Sequence, residues 1–211
     1  MQQEAVQHIR VPGYGNEAPF LVASVDSAAL ALPDPVLEAT GQRSAKRRTE
    51  KAAADFLLKA MLQNEDLRIV NDESGQPRLI GLPGHISVSH SRNIVALQYS
   101  EKLHCGIDVQ HFEDRVLRLK EKFLNAYELD FVNALPDAEK VTYITTCWSV
   151  KEVVYKIHGA GFIDYHEGFR IRPFRLDGSP IRCDVSTNGI EDTFTIQYSI
   201  YNEYVIAYRA E

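Results

Sequence analysis

The residues most able to do chemistry lie in one segment, Trp148-Ser-Val-Lys-Glu-Val-Val-Tyr-Lys156. Wound at about 100° per residue, it places Val150, Val153, Val154 and Ile157 on one apolar stripe and Trp148, Glu152, Tyr155 and Lys156 on the opposite side. An exposed Glu152–Lys156 pair would be ordinary surface helix chemistry. Trp148 on the same side is not, because a solvated face favours smaller polar residues, so that face is expected to be covered. A carboxylate, the two lysines Lys151 and Lys156 and an aromatic ring suit a metal-bound diphosphate: the carboxylate holds a divalent cation and the lysines neutralise phosphoryl oxygens.

Three other segments carry compatible groups. In His104-Cys-Gly-Ile-Asp-Val-Gln110, a strand period of two puts Gly106, Asp108 and Gln110 on one face and Cys105, Ile107 and Val109 on the other. A Gly there allows close approach of another group to the backbone. Mg²⁺ is usually held by one or two carboxylates, with phosphate oxygens and water completing its shell, and Asp108 with Glu152 meets that need. In His85-Ile-Ser-Val-Ser-His-Ser91, serine hydroxyls and His90 are potential phosphate donors. Residues 43 to 51 read Arg-Ser-Ala-Lys-Arg-Arg-Thr-Glu-Lys, a basic run that is either a solvated helix start or a local anion site.

Elements must hold these groups. From Arg48 onward, Thr49, Ala52, Ala53, Phe56, Leu57, Ala60 and Met61 recur at helical spacing. Asn71 to Pro77 reads as a turn, followed by strands, with a hairpin formed by His85–Ser89 and Ile94–Tyr99. Val116 to Phe131 reads as one helix and Trp148 to His158 as a second, ended by Gly159-Ala160-Gly161. Alternation in Phe194, Ile196, Tyr198 and Ile200 predicts a strand paired with Tyr204–Arg209. This order is not a βαβ alternation, so an α+β fold with antiparallel sheets is expected.

Composition narrows the function. The 211 residues are 45% hydrophobic and 25% charged, enough for one sizeable core or two small packed ones. A net charge of −6 argues against a general nucleic-acid binder. No apolar run spans a membrane and Met1–Arg10 lacks the pattern of a secretory signal, so a cytoplasmic protein with no membrane partner is expected. Cys105, Cys147 and Cys183 are widely spaced, which favours reduced thiols over a disulfide framework or a zinc site. The P-loop, the dinucleotide fingerprint and the nucleophile elbow are all missing, so phosphate must be handled by another design.

Taken together, Gly75-Gln-Pro77, Ser89-His-Ser91, Gly106-Ile-Asp-Val-Gln110, Glu128 and the Trp148–Lys156 segment resemble the phosphopantetheinyl transferase superfamily, in its larger pseudodimeric (Sfp-type) branch, over roughly residues 43 to 175. The resemblance implies two similar α+β halves, each an antiparallel sheet with a long helix, divided at residues 1–103 and 104–211, with coenzyme A in the cleft between them. It implies transfer of 4'-phosphopantetheine from coenzyme A to a serine of an acyl or peptidyl carrier protein by a monomer, with Mg²⁺ or Mn²⁺ as cofactor. Position by position, Asp108 and Glu152, with Gln110 or Glu128, would surround the metal. Lys151 and Lys156 would face the diphosphate, Ser89 and His90 the coenzyme A phosphates, and Arg48 with Arg43 the 3'-phosphate. Glu152 would act as general base and Lys156 would stabilise developing charge. Two positions depart from the family pattern, which often has an acid at Gln110 and a base at Gln76. They keep open a coenzyme A- or carrier-binding module without catalysis, and a metal-dependent phosphohydrolase is a third reading.

Overall fold

The computed structural model describes residues 6–8, 21–29, 42–158, 164–187 and 189–211. The chain divides into two compact units, residues 1–105 and 106–211.

In the first unit, a 21-residue helix, α1 (Gln42–Leu62), accompanies the strands β1 (Val6–His8), β2 (Leu21–Asp26), β5 (His85–Ser91) and β6 (Ile94–Ser100). These form an antiparallel sheet in the order β1-β2-β6-β5. The predicted hairpin is β5–β6, with Ser91 opposite Ile94. Its turn places Arg92 at φ 52°. The buried face of α1 is centred on Ala53, Ala54, Leu57 and Leu58, packed with Ala23, Val25, Val95 and Leu97 of the sheet. Ala54 and Leu58 lie outside the predicted stripe, which includes Ala52 and Phe56; the helix is turned so that these last two are only half-buried.

A small hairpin, β3 (Arg68–Asn71) with β4 (Pro77–Ile80), flanks the predicted turn. Asp72 organises that turn by accepting from the Ser74 hydroxyl and amide, from the Gln76 amide and from Arg78 Nε. Led by the Ser74 hydroxyl, these donors hold its carboxyl at about 2. Gly75 supplies the φ of +82° that the turn requires. Asp55 Oδ1 accepts from Ile69 N at 3.0 Å and ties this hairpin to α1.

The second unit is built on the sheet β7-β11-β10-β9-β8, in which β7 is Ile107–His111, β8 Phe169–Ile171, β9 Ile181–Thr187, β10 Ile190–Tyr201 and β11 Tyr204–Arg209. All four pairings are antiparallel. The sheet and antiparallel pairing fit the α+β class. Against it lies the 22-residue helix α4 (Asp137–His158), with Val150, Val153 and Val154 fully buried among Ile171, Ile181, Cys183, Ile196, Val205 and Ala207. The helix begins eleven residues before Trp148, after Pro136, with Asp137 and Glu139 in its first turn where the helix dipole favours acids. Its predicted glycine terminator, residues 159–161, lies outside the described residues.

The single helix predicted over Val116–Phe131 is two, α2 (Arg115–Leu119) and α3 (Ala126–Asn133), separated by a 3₁₀ turn over Lys120–Lys122. Asn125 breaks the run. Its backbone is extended, its side chain accepts from Glu128 N, and the Glu128 side chain accepts from Asn125 N, a complete capping box. α3 also covers the edge of the sheet: Asn125 Nδ2 donates to Phe169 O and Ile171 N donates to Glu128 Oε1, so two outer backbone groups of β8 are occupied.

Candidate functional site

The face of α4 that carries chemistry is held against β7 by one close approach. A Cβ on Gly106 would lie 2.5 Å from the Val153 carbonyl oxygen and 2.6 Å from Ile157 Cγ1, so only glycine lets helix and strand approach this far. Two residues on, Asp108 faces the same helix, buried to 3% exposure. Lys156 Nζ donates to Asp108 Oδ1 at 3.2 Å and to the Ile107 carbonyl at 2.7 Å. Gln110 Nε2 donates to Asp108 Oδ2 at 3.1 Å, as the common face of Asp108 and Gln110 predicts.

Glu152 stands one helical turn before Lys156. Its pKa is raised, first by burial and then by the Asp108 charge; a hydrogen bond from Tyr165 and the Lys156 charge oppose the shift. The surface pair between Glu152 and Lys156 gives way to other partners: Lys156 turns to Asp108, and Glu152 Oε1 accepts from Tyr165 Oη at 2.9 Å. The cover predicted over Trp148 is Tyr165, whose ring stacks on the indole at 5.4 Å and 21°.

Lys151 and Glu128 require a correction. Lys151 is fully buried, and its ammonium donates to the Phe123 carbonyl at 2.5 Å, Glu128 Oε2 at 2.6 Å and the Tyr165 carbonyl at 2.8 Å. All three of its N–H bonds are used, so none faces a diphosphate. Glu128 is equally buried: Oε2 also accepts from Asn125 N and Oε1 from Ile171 N. Its carboxylate caps a helix and neutralises a lysine, and is not available as a metal ligand. At one-dimensional resolution Lys151 sits beside Glu152 and reads as polar; only the 100° step between them turns it inward.

In the first unit, Ser89 is buried on β5 and His90 is exposed. His90 Nδ1 lies 3.1 Å from Glu50 Oε1, and Lys46 Nζ lies 3.7 Å from the same oxygen. Glu50, buried on α1, is a partner that its basic neighbourhood concealed. Arg48 is half-buried on α1, and Lys46, Arg47 and Lys51 are exposed. The side chain of Arg43 lies outside the described residues.

Among the described residues no three His, Cys, Asp or Glu side chains converge to hold a metal ion. The acidic donors are the pair Asp108 and Glu152, with the Gln110 amide beside Asp108. Cys105, Cys147 and Cys183 are buried thiols outside any disulfide. Burial pushes the Cys183 thiol up to about 12, away from nucleophilic chemistry. No helix among the described residues is long and apolar enough to cross a membrane.

A family model for the 4'-phosphopantetheinyl transferase superfamily matches residues 104–209, a span that contains β7, α4 and every residue of the Asp108–Glu152–Lys156–Tyr165 cluster. It covers half of the chain, and the chain belongs to the 4'-phosphopantetheinyl transferase superfamily. No curated protein matches it.

Proposed function

We propose that the protein transfers the 4'-phosphopantetheine arm of coenzyme A to a serine of an apo acyl or peptidyl carrier protein, releasing adenosine 3',5'-bisphosphate. The observation that carries this reading is the pairing, inside the matched span, of Asp108 with Glu152, two carboxylates close enough for one to raise the other's pKa, beside the ammonium of Lys156. Two adjacent carboxylates are oxygen donors of the kind a hard divalent cation takes, and a cation would relieve their mutual repulsion. Asp108 and Glu152, with the amide oxygen of Gln110, would hold Mg²⁺ or Mn²⁺. Bound there with the diphosphate, the metal supplies positive charge to the phosphoryl oxygens.

The remaining work falls to side chains. Lys156 uses two of its three N–H bonds on Ile107 and Asp108, which leaves the third for a phosphoryl oxygen. Phosphoryl transfer depends chiefly on positioning and charge stabilisation, and a lysine fixed by two bonds meets both needs without reorganising. Glu152 is the general base. With Tyr165 on Oε1, the Glu152 carboxylate takes the proton of the carrier serine, directly or through a water, as the serine oxygen attacks the β-phosphorus. In the first unit, Ser89 and His90 would contact the coenzyme A phosphates, and Arg48 with Arg43 the 3'-phosphate. A pseudodimeric, Sfp-type architecture is part of this reading, supported by the presence in each unit of an antiparallel sheet with a long helix, α1 or α4.

Carrier proteins are usually acidic, and an acidic transferase needs a local basic face to dock one. Arg115, Arg118 and Lys122 are exposed around α2, with Leu117 among them; Lys120 is tied to Asn133 Oδ1 at 3.1 Å. Gln110 favours one second reading, a binding module without catalysis, because a neutral amide sits on Asp108 Oδ2. Incubating an apo carrier with coenzyme A and Mg²⁺ separates the two: transfer adds one phosphopantetheine unit, whereas a binding module retains coenzyme A and leaves the carrier unmodified.

A further inference from the structure

Tyr165 lies outside every segment in which the sequence concentrates chemistry, yet α4 and β8 of the second unit converge on it. Its ring stacks on Trp148 at 5.4 Å, meets Tyr155 at 5.6 Å and packs edge-on against Phe169 at 5.4 Å. Trp148 and Tyr155 are on α4, one on each side of Glu152 in sequence, and Phe169 opens β8. Such contacts fix the plane of the ring. The backbone is fixed as well. The Tyr165 carbonyl accepts from Lys151 at 2.8 Å, and the same ammonium is anchored to Glu128 and to the Phe123 carbonyl. The following turn is closed by Asp164 Oδ1, which accepts from His166 N at 2.7 Å and Glu167 N at 3.2 Å. At the end of this clamp the phenol donates to Glu152 Oε1 at 2.9 Å.

Resting on the transferase reading above, we infer that Tyr165 is a positioning residue for that reaction, holding one oxygen of the Glu152 carboxylate so that the other is presented to the metal. The buried Lys151–Glu128 pair is the anchor of this arrangement. A lysine and a glutamate inside a core add little net stability compared with apolar residues of similar size. Here their geometry sets the height of the Tyr165 backbone over α4. Groups that orient a metal ligand through its second oxygen affect affinity and turnover without touching substrate.

The test uses the full chain and its single tryptophan, Trp148. Mn²⁺ is titrated into wild-type and Tyr165→Phe protein, with binding read by electron paramagnetic resonance and by quenching of Trp148 emission. Transfer kinetics are measured in parallel. Tyr165→Phe keeps the ring and removes the donor. It is expected to weaken Mn²⁺ binding by about tenfold and lower kcat comparably. The KM for coenzyme A and the metal-free Trp148 emission should stay at wild-type values. Tyr165→His, which returns a ring donor, should recover part of both losses. Wild-type Mn²⁺ affinity and kcat in Tyr165→Phe would overturn the inference and leave the transferase reading standing. Equal losses in both variants with a shifted Trp148 emission would show that the residue only packs, and would also overturn it. A wild-type protein that neither binds Mn²⁺ nor modifies a carrier removes the transferase reading itself, and the inference with it.

Discussion

Lys156 Nζ and Asp108 Oδ1 lie 3.2 Å apart, joining the last turn of α4 to the second residue of β7 across the contact that Gly106 makes possible. The pair places a carboxylate and an ammonium at one point of the second unit, where a metal and a phosphate would each need one.

Asp108→Asn keeps the size of the side chain and removes its charge. Transfer activity is expected to fall by on the order of a hundredfold or more, since a metal ligand and the orientation of Lys156 are lost together. Lys156 is 27% exposed, so the stability cost of the lost ion pair should be about 1 kcal/mol or less. Steady-state kinetics and urea unfolding of the same preparation check both halves of this expectation.

The Lys151–Glu128 pair should behave in the opposite way under single and double substitution. Lys151→Met leaves the Glu128 carboxylate buried beside fewer donors, and is expected to cost about 3–5 kcal/mol. Lys151→Met combined with Glu128→Leu should recover much of that loss, although the capping box and the Ile171 amide lose their acceptor. A double-mutant cycle by chemical denaturation measures the coupling.

Glu152 predicts a pH dependence of stability in metal-free protein. Its folded pKa is raised by burial and by Asp108, so the folded state keeps a proton that the unfolded chain has released. The protonated carboxyl's contribution is complete below the ordinary glutamate value and is lost as pH rises through the window up to the raised value. Glu152→Gln should match the wild type in thermal midpoint below that window and exceed it above, while losing transfer activity. Calorimetry across pH in the presence of a chelator reads the difference.

Charge reversal on α2 should separate docking from chemistry. Arg115→Glu with Arg118→Glu is expected to raise the carrier KM by about tenfold, reduce its dependence on salt and leave kcat at saturating carrier near the wild-type value. Kinetics with one carrier at two ionic strengths are sufficient.

Much of the local structure was legible in the sequence because it follows from short-range periodicity. The apolar stripe of α4, the shared face of Gly106, Asp108 and Gln110, and the β5–β6 hairpin each rest on residues a few positions apart. The capping box that splits Val116–Phe131 was also present, as Asn125 with Glu128 three residues later, but in a charged amphipathic run it is outweighed by helical spacing. What could not be read are partnerships across long stretches of chain. Lys151 finds Glu128 over 23 residues and Tyr165 finds Glu152 over 13, through contacts that depend on how α3 and the turn before β8 settle on α4. A lysine next to a predicted catalytic glutamate looks functional until its burial is known. A tyrosine in Asp-Tyr-His-Glu-Gly carries no signal beyond an aromatic ring in a polar turn.

Transfer is decided by mass spectrometry of several apo carrier proteins, from fatty-acid, polyketide and nonribosomal-peptide systems, each incubated with the protein, coenzyme A and Mg²⁺. A transferase adds one phosphopantetheine unit to the carrier serine, a gain abolished by chelation and by Asp108→Asn. No gain on any of them, from folded protein that binds coenzyme A, would contradict it.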